Sequence, residues 1–165
     1  MTGELVRAVD HVISPGVEAD MGGDDQWPTL REKVHAADIL VLLTPTWMGQ
    51  QSSVAQRVLE RLDAELSETD DAGRPILFDK VALAGIVGNE DGAHHIAAIL
   101  FQSLNDVGYS VPAQASVYWN GEAMQTVDYK DLDETPEKVA QATATAARNA
   151  ARLAGLLKAD GYPAE

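Results

Sequence analysis

The fold of this chain is decided by residues 37–66, which read ADILVLLTPTWMGQQSSVAQRVLERLDAEL. Ile39–Leu43 is a continuous apolar run that is too short to span a membrane and lacks polar alternation. It therefore predicts a parallel strand buried on both faces. Apolar residues at every fourth position then predict a helix over residues 53–66, capped by Ser52 or Ser53. Ligands of open α/β sheets bind at the carboxyl ends of strands, so the loop between strand and helix is the first candidate site.

The composition of the 165 residues limits the classes of function. The formal net charge of −14 opposes binding to nucleic acid or to an anionic membrane surface. The sequence contains no cysteine, which removes both a disulfide framework and a thiol nucleophile. No stretch reaches the apolar length of a membrane helix, and the N-terminus lacks a signal-peptide pattern. We therefore predict a cytoplasmic protein with a single domain over residues 1–165.

Strands alternate with helices along the rest of the chain. Three further strands are predicted over residues 4–9, 81–87 and 111–118, the last interrupted by Pro112. Three further helices are predicted. The first covers residues 28–34, and the second starts at about Ile96 and stops before Gly108. The third covers residues 135–158, with Thr135 as its cap and Pro136 as its first helical residue. This alternation predicts a doubly wound, mostly parallel sheet in three α/β/α layers.

Three loops follow consecutive predicted strands: residues 44–51, 88–95 and 118–124. All are rich in Gly, Asn, Thr or aromatic residues. Because the carboxyl ends of parallel strands lie at one edge of a sheet, we expect the three loops to converge there.

These loops resemble those of the flavodoxin-like NAD(P)H-dependent FMN reductases and quinone reductases. The matching stretches, each after a predicted strand, are Thr44-Pro45-Thr46-Trp47-Met48-Gly49-Gln50-Gln51-Ser52-Ser53, Gly88-Asn89-Glu90-Asp91-Gly92-Ala93-His94 and Tyr118-Trp119-Asn120-Gly121. The resemblance covers roughly residues 35–155. It implies a flavodoxin-like fold and an FMN-dependent oxidoreductase that passes a hydride from NAD(P)H through flavin N5 to a small acceptor such as a quinone or a flavin.

The resemblance also implies which residues contact the cofactor. The first loop would wrap the isoalloxazine ring and the second would flank it, and Trp119 is added from its place at a strand end. The implied cofactor-binding residues are Thr44, Pro45, Thr46, Trp47, Met48, Gly49, Gly88, Asn89, Gly92, His94 and Trp119. A planar ring favours an aromatic wall, and glycine allows close backbone approach. No catalytic residue and no metal ligand is assigned.

The N-terminus departs from the resemblance. The family begins with a strand, a Ser/Thr-rich phosphate-binding loop and a helix before the strand predicted at residues 4–9, whereas this chain begins at Met1. We therefore expect a sheet that is N-terminally truncated relative to the family and lacks the usual phosphate cradle. Residues 4–9 could move into the vacant central position beside residues 39–43, a second chain could complete the sheet, or the chain could be a fragment.

Other interpretations of the same residues remain open. The chain could be a degenerate, non-catalytic flavodoxin-like domain that acts through protein contacts, or its loops could bind another flat aromatic molecule. Trp47 could cap the core, and residues 89–92 could form an ordinary turn. The small residues at 142–151 predict packing on the sheet, with a homodimer as the alternative use of that helix.

Overall fold

The computed structural model describes residues 2–122 and 125–164. Its strands are β1 (Ile39–Trp47), β2 (Gln50–Gln51), β3 (Val81–Val87) and β4 (Ser116–Trp119). Its helices are α1 (Trp27–Ala36), α2 (Ser53–Leu62), α3 (Ala93–Asp106) and α4 (Glu137–Ala159). Short 3₁₀ turns cover Ala8–Asp10, Asp63–Ser67 and Tyr129–Asp131. None of the described helices is long and apolar enough to cross a membrane.

The four strands form one mixed sheet in the order β2-β1-β3-β4. Strand β1 is parallel to β3, and β3 is parallel to β4, while β2 pairs antiparallel with the end of β1. The register places Pro45 opposite Val87 and Val87 opposite Trp119. The carboxyl ends of all three parallel strands therefore lie at one edge of the sheet, with β1 two residues longer there, and the predicted convergence of the three loops is confirmed.

The core lies on both faces of this sheet, which we name the α2–α3 face and the α4 face. On the α2–α3 face, side chains of α1, α2 and α3 pack against Leu42, Ala84 and Ile86. On the α4 face, Ala146 and Ala150 of α4 form a cluster with Val81, Leu83 and Ala115. Helices on both sides of a largely parallel sheet confirm the predicted three-layer α/β/α fold.

A buried ion pair holds the long connection before α1. The side chains of Arg61 and Asp25 are both fully buried, and Arg61 Nη1 donates to Asp25 Oδ2 at 2.7 Å. The same guanidinium donates to the carbonyl oxygens of Ser14 and Glu18 and lies 5.6 Å from the ring centroid of Trp27. Because the charge is paired and its donors are used, this group fixes the irregular segment onto α2.

A second buried carboxylate ties α1 to the turn after α2. Glu65 is fully buried, and Oε1 accepts from Arg31 Nε at 2.6 Å while Oε2 lies 2.6 Å from His35 Nε2. The Tyr109 hydroxyl is also buried, and burial together with the charge of Glu65 raises the pKa of Tyr109 above its usual value. This cluster lies at the end of the sheet opposite the three loops, so its role is to stabilise the fold.

The predicted helices and the strand over residues 81–87 are confirmed, with small differences in length. Helix α2 ends at Leu62 and continues as the 3₁₀ turn to Ser67, and Ser52 is its N-cap, accepting from Ala55 N at 3.1 Å. Strand β1 runs through Trp47 instead of ending at Leu43, because residues 46 and 47 pair with β2. The first predicted loop is therefore partly a β-hairpin.

The predicted strand over residues 4–9 is wrong. These residues lie outside the sheet, and Ala8–Asp10 forms a 3₁₀ turn with Ala8 packed against the core. Residues 4–9 do not occupy the central position beside β1 either, because residues 39–45 of β1 pair directly with β3. A β-pattern alone does not make a strand where no neighbouring strand offers its backbone groups.

Two further boundaries differ from the sequence prediction. Strand β4 begins at Ser116 and not at residue 111, since Pro112 lacks a donor and Gln114 adopts a positive φ of 59° in a turn. Thr135 does not cap α4: Pro136 is the N-cap, and the Thr135 hydroxyl lies 3.5 Å from that of Tyr129.

The buried ion pair predicts a specific acid sensitivity. Burial alone would raise the pKa of Asp25, but hydrogen bonds from Met21 N, Ser14 N and Arg61 prevail and lower it to about 2. Ionised Asp25 therefore stabilises the folded state by roughly 2 kcal/mol above pH 4, and this stabilisation is lost as the pH falls towards 2. Asp25→Asn should lower the free energy of unfolding at neutral pH by about 3 kcal/mol, measured in urea.

The exposed neighbour Asp24 supplies the matched control, since Asp24→Asn should leave both the stability and its pH dependence unchanged. The loss on acidification between pH 4 and 2 should be smaller in Asp25→Asn than in the wild type. Equal slopes in the two proteins would contradict this role of Asp25.

Candidate functional site

The first loop is built on a tight hairpin between β1 and β2. Trp47 pairs with Gln50, and the two residues between them have positive φ angles of 53° for Met48 and 74° for Gly49. Two consecutive left-handed residues form a type I′ turn, which matches the twist of a β-hairpin. The turn presents Trp47 and Met48 to solvent, with 57% and 91% of each residue exposed. A large apolar surface therefore lies at the carboxyl end of β1.

The side chains of Thr44 and Thr46, on the same strand, point to the opposite face of the sheet. Both are only 4% exposed and lie on the α2–α3 face. Thr44 Oγ1 accepts from Ser52 N at 3.0 Å, which joins the strand to the N-terminus of α2. The side chains of the two threonines therefore hold the loop in place and are not open to a ligand.

The second loop is fastened to the first by four contacts, which we call the loop clasp. The Glu90 carboxylate accepts from Met48 N at 2.9 Å, and His95 Nε2 lies 3.0 Å from Gln50 Oε1. The two remaining contacts are Gly88 against Thr46 and Gly92 against Gly49.

Glycine is required at Gly92 of the clasp. A Cβ atom there would meet the Gly49 carbonyl oxygen at 2.7 Å, and the φ of Gly92 is 134°. Both the close approach and the dihedral exclude a side chain at this position. The clasp therefore depends on backbone packing between the two loops.

Aromatic side chains complete the edge on both faces. His94, in the first turn of α3, lies with Nε2 3.1 Å from the Tyr118 hydroxyl, and the two rings meet edge to face at 5.1 Å. Trp119 meets Tyr129 edge to face at 5.4 Å. Asn89 donates to Asp128 at 3.2 Å, which links the second loop to the segment after β4. Residues 123 and 124 of the third predicted loop lie outside the described residues.

All eleven predicted cofactor-binding residues therefore lie on the three converging loops, but their side chains divide between two faces of the sheet. Trp47, Pro45 and Trp119 share the α4 face, whereas Thr44 and Thr46 are buried under the helices. Glu90 and Tyr118 were not among the predicted site residues. Strand alternation would have separated Tyr118 from Trp119, but no sequence signal identifies Glu90 as the partner of Met48 N.

The three loops carry acidic side chains and no lysine or arginine. The three loops contain no Lys or Arg, and they carry Glu90, Asp91 and Glu122. Helix α3 begins at this edge, and its N-cap Gly92 has no side chain to accept the amides of the first turn. An anionic ligand group at this edge would therefore have to bind backbone N–H groups.

Neither a metal cluster nor the depression between α3 and α4 coincides with this edge in the described residues. Within residues 2–122 and 125–164, no group of three or more His, Asp or Glu side chains is arranged to hold a metal ion. A shallow depression of about 640 Å³ lies between α3 and α4, lined by residues that include Phe101, Ser110 and Leu153. It is not formed by the three loops.

The clasp predicts unequal effects of two glycine substitutions. Gly92→Ala should reduce the free energy of unfolding by about 2 kcal/mol or more, because it combines a left-handed φ with a backbone clash. Gly73 has a φ of 77°, and a Cβ atom at this position would have no neighbour within 4 Å, so Gly73→Ala should cost only about 1 kcal/mol. Urea unfolding measures both values, and equal losses would exclude a tight contact between the loops.

The comparison with protein families and curated proteins shows what this chain is similar to. A sequence profile of the family described as NADPH-dependent FMN reductase matches residues 1–124. The chain is 39% identical over 129 residues to the 8-demethyl-8-aminoriboflavin-5′-phosphate synthase of Streptomyces davaonensis, covering 73% of this chain and 50% of that protein. It is 42% identical over 132 residues to a protein of Mycobacterium bovis named divalent metal cation transporter MntH, of which it covers only 19%. The chain thus spans half or less of these two relatives.

Solved structures agree with the sequence comparison. The crystal structure of RosB with the bound intermediate 8-demethyl-8-formylriboflavin-5′-phosphate superposes with a TM-score of 0.85 at 33% identity, covering 96% of this chain and 67% of RosB. An oxidoreductase of Corynebacterium diphtheriae gives a TM-score of 0.50 at 17% identity, which concerns the fold alone. The family profile covers well over half of the sequence, and the RosB structure confirms the flavodoxin-like fold. This chain therefore belongs to the NADPH-dependent FMN reductase family.

Proposed function

We propose that this chain binds a flavin 5′-phosphate at its three converging loops and functions in NAD(P)H-dependent hydride transfer. The observation that carries the proposal is the loop clasp, which joins two loops into one surface beside three aromatic side chains, Trp47, Tyr118 and Trp119. Family membership supports the class of cofactor. RosB, with its bound 8-demethyl-8-formylriboflavin-5′-phosphate, supports flavin binding by this type of fold.

The residues at this edge fit a planar, partly polar ring. The indole of Trp47 and the side chain of Met48 are exposed and apolar, as expected for a wall against an aromatic ligand. The hydrogen-bonded pair of His94 and Tyr118 offers polar atoms nearby. A bound flavin would supply the capacity to accept a hydride and pass electrons on.

The protein's own contribution would be orientation and exclusion of water. Glu90 holds Met48 in its left-handed conformation, so it would fix the angle at which the hairpin meets the ring. The amides of the first turn of α3 are the groups that suit a phosphate, because no lysine or arginine lies in the loops. Since a negative field opposes a phosphate, we expect its affinity to be modest.

A second candidate function takes the flavin 5′-phosphate as substrate. It is favoured by the 39% identity to the 8-demethyl-8-aminoriboflavin-5′-phosphate synthase and by the RosB structure, which contains a formylated flavin intermediate. The two candidates share one binding site and differ in the fate of the flavin. A cofactor returns unchanged after turnover, whereas a substrate leaves chemically altered.

The acceptor and the assembly also belong to the proposal. A quinone or a second flavin fits an open apolar edge formed by Trp47 and Met48, because such acceptors are flat and largely apolar. The homodimer remains a prediction, to be measured by sedimentation of the purified chain.

Trp47→Ala should weaken FMN binding about 10-fold or more, because it removes the largest exposed aromatic surface at the site. Titration with FMN, followed by flavin fluorescence, measures the dissociation constant. Leu66→Ala is the matched control, since Leu66 is 58% exposed but lies after α2, away from the loops. Unchanged affinity in Trp47→Ala would remove this residue from the site.

Recovery of the flavin after incubation with NADPH separates the two candidates. If the visible flavin band bleaches, returns in air and FMN is recovered intact, the result supports the oxidoreductase. A new flavin species in the recovered material supports the flavin-modifying alternative. Failure to bind FMN at all would favour a non-catalytic domain and would contradict the proposal.

A further inference from the structure

The dipeptide Asn120-Gly121 lies directly after β4, at the start of the third loop. The chain contains four asparagines, and Asn120 is the one that a glycine follows. Glycine has no Cβ, so it neither shields its own backbone nitrogen nor restricts the backbone around it. When an asparagine precedes such a nitrogen, attack of the nitrogen on the side-chain carbonyl carbon closes a five-membered ring. The sequence therefore places a chemically reactive pair at the loop edge.

The backbone at this pair is open to that reaction. Gly121 is exposed and has a φ of 53°, in the left-handed region. Within the described residues, Gly121 N donates to no backbone carbonyl, and the side chain of Asn120 makes no hydrogen bond. A free backbone nitrogen and a side chain that can rotate are the two requirements for ring closure, and both are met here.

The other three asparagines are held by their surroundings. Asn105 and Asn149 lie inside α3 and α4, where the amide of the following residue is bound within the helix. Their side chains each donate to a backbone carbonyl oxygen, at 3.0 and 2.8 Å. Asn89 donates to the Asp128 carboxylate at 3.2 Å, and the side chain of Glu90 shields the nitrogen that follows it. The structure thus separates Asn120 from all three.

We propose that Asn120 is a site of spontaneous deamidation. Gly121 N bonds to Cγ of Asn120, the bond from Cγ to Nδ2 breaks, and ammonia leaves with the proton of the Gly121 amide. Water then opens the cyclic imide at one of its two carbonyl carbons. One opening gives aspartate, and the other gives isoaspartate, in which the main chain runs through Cβ and Cγ. No electrons are exchanged, and water is the co-reactant.

The modification changes the loop edge in two ways. Either product adds a carboxylate to an edge that already carries Glu90, Asp91 and Glu122. Isoaspartate also adds a methylene group to the main chain next to Gly121, where a Cβ atom would already meet the Trp119 indole at 2.8 Å. Because the proposed function places a flavin 5′-phosphate at this edge, both changes should weaken its binding. The deamidation itself does not depend on that function.

Peptide mass spectrometry of the purified full chain tests the reaction. Incubation at pH 8 should raise the mass of the peptide that contains Asn120 by about one dalton, and fragmentation assigns the residue. Conversion at Asn120 should be about 10-fold faster, or more, than at the other three asparagines. It should be slower at pH 6, because the attacking nitrogen must lose its proton. Asn120→Gln should abolish this mass gain, and the matched control Asn149→Gln should retain it.

Titration with FMN measures the effect on the site. The dissociation constant of the incubated wild type should be about 3-fold higher, or more, than that of the fresh protein. Asn120→Gln should bind FMN equally well before and after the same incubation. Fresh Asn120→Asp should show part of the increase, because it carries the added charge without the added methylene group.

The absence of a mass gain at Asn120, or equal rates at the four asparagines, would overturn the proposal. A fully converted protein that binds FMN as tightly as the fresh protein would overturn the effect on the site. Failure of the fresh protein to bind FMN would instead contradict the proposed function, and the mass measurement would still decide whether Asn120 is deamidated.

Discussion

The parallel register between β1 and β3 is the constraint on which the rest of the structure depends. It aligns Pro45 with Val87, and the register of β3 with β4 extends the same level to Trp119. Three loops that are far apart in sequence therefore emerge together. A shift of one residue in either pairing would turn Trp47 or Trp119 to the opposite face and bury what is now exposed. The location of the candidate site is thus a consequence of strand pairing.

The loops at this edge combine fixed backbone with exposed side chains. The clasp uses Glu90, Gly88 and Gly92 to hold the hairpin, and Thr44 ties the hairpin strand to the cap of α2. These contacts order the loops in the absence of a ligand, so much of the binding surface is formed before a ligand binds. Preorganisation of this kind reduces the cost of binding, which matters in a chain whose net charge disfavours phosphate.

Much of the fold could be predicted from the sequence, because its signals are local. Val81–Val87 is apolar throughout and bounded by polar residues, and the structure contains that strand with the same limits. The side-chain positions of the site were harder to predict from the sequence. The type I′ turn at Met48 and Gly49 pairs residues 46 and 47 with β2 and so extends β1. The pairing of Glu90 with Met48 N joins residues 42 positions apart. Residues 4–9 have a strand-like pattern but no pairing partner among the described strands, so pattern alone misplaced them.

Hydrogen–deuterium exchange in the presence and absence of FMN shows whether a flavin binds where the three loops meet. We expect slower exchange on FMN binding in residues 44–51, 88–95 and 118–122, with no change at the start of β1 or near the Glu65 cluster. Protection confined to the depression lined by Phe101 and Leu153, or no protection anywhere at saturating FMN, would contradict it.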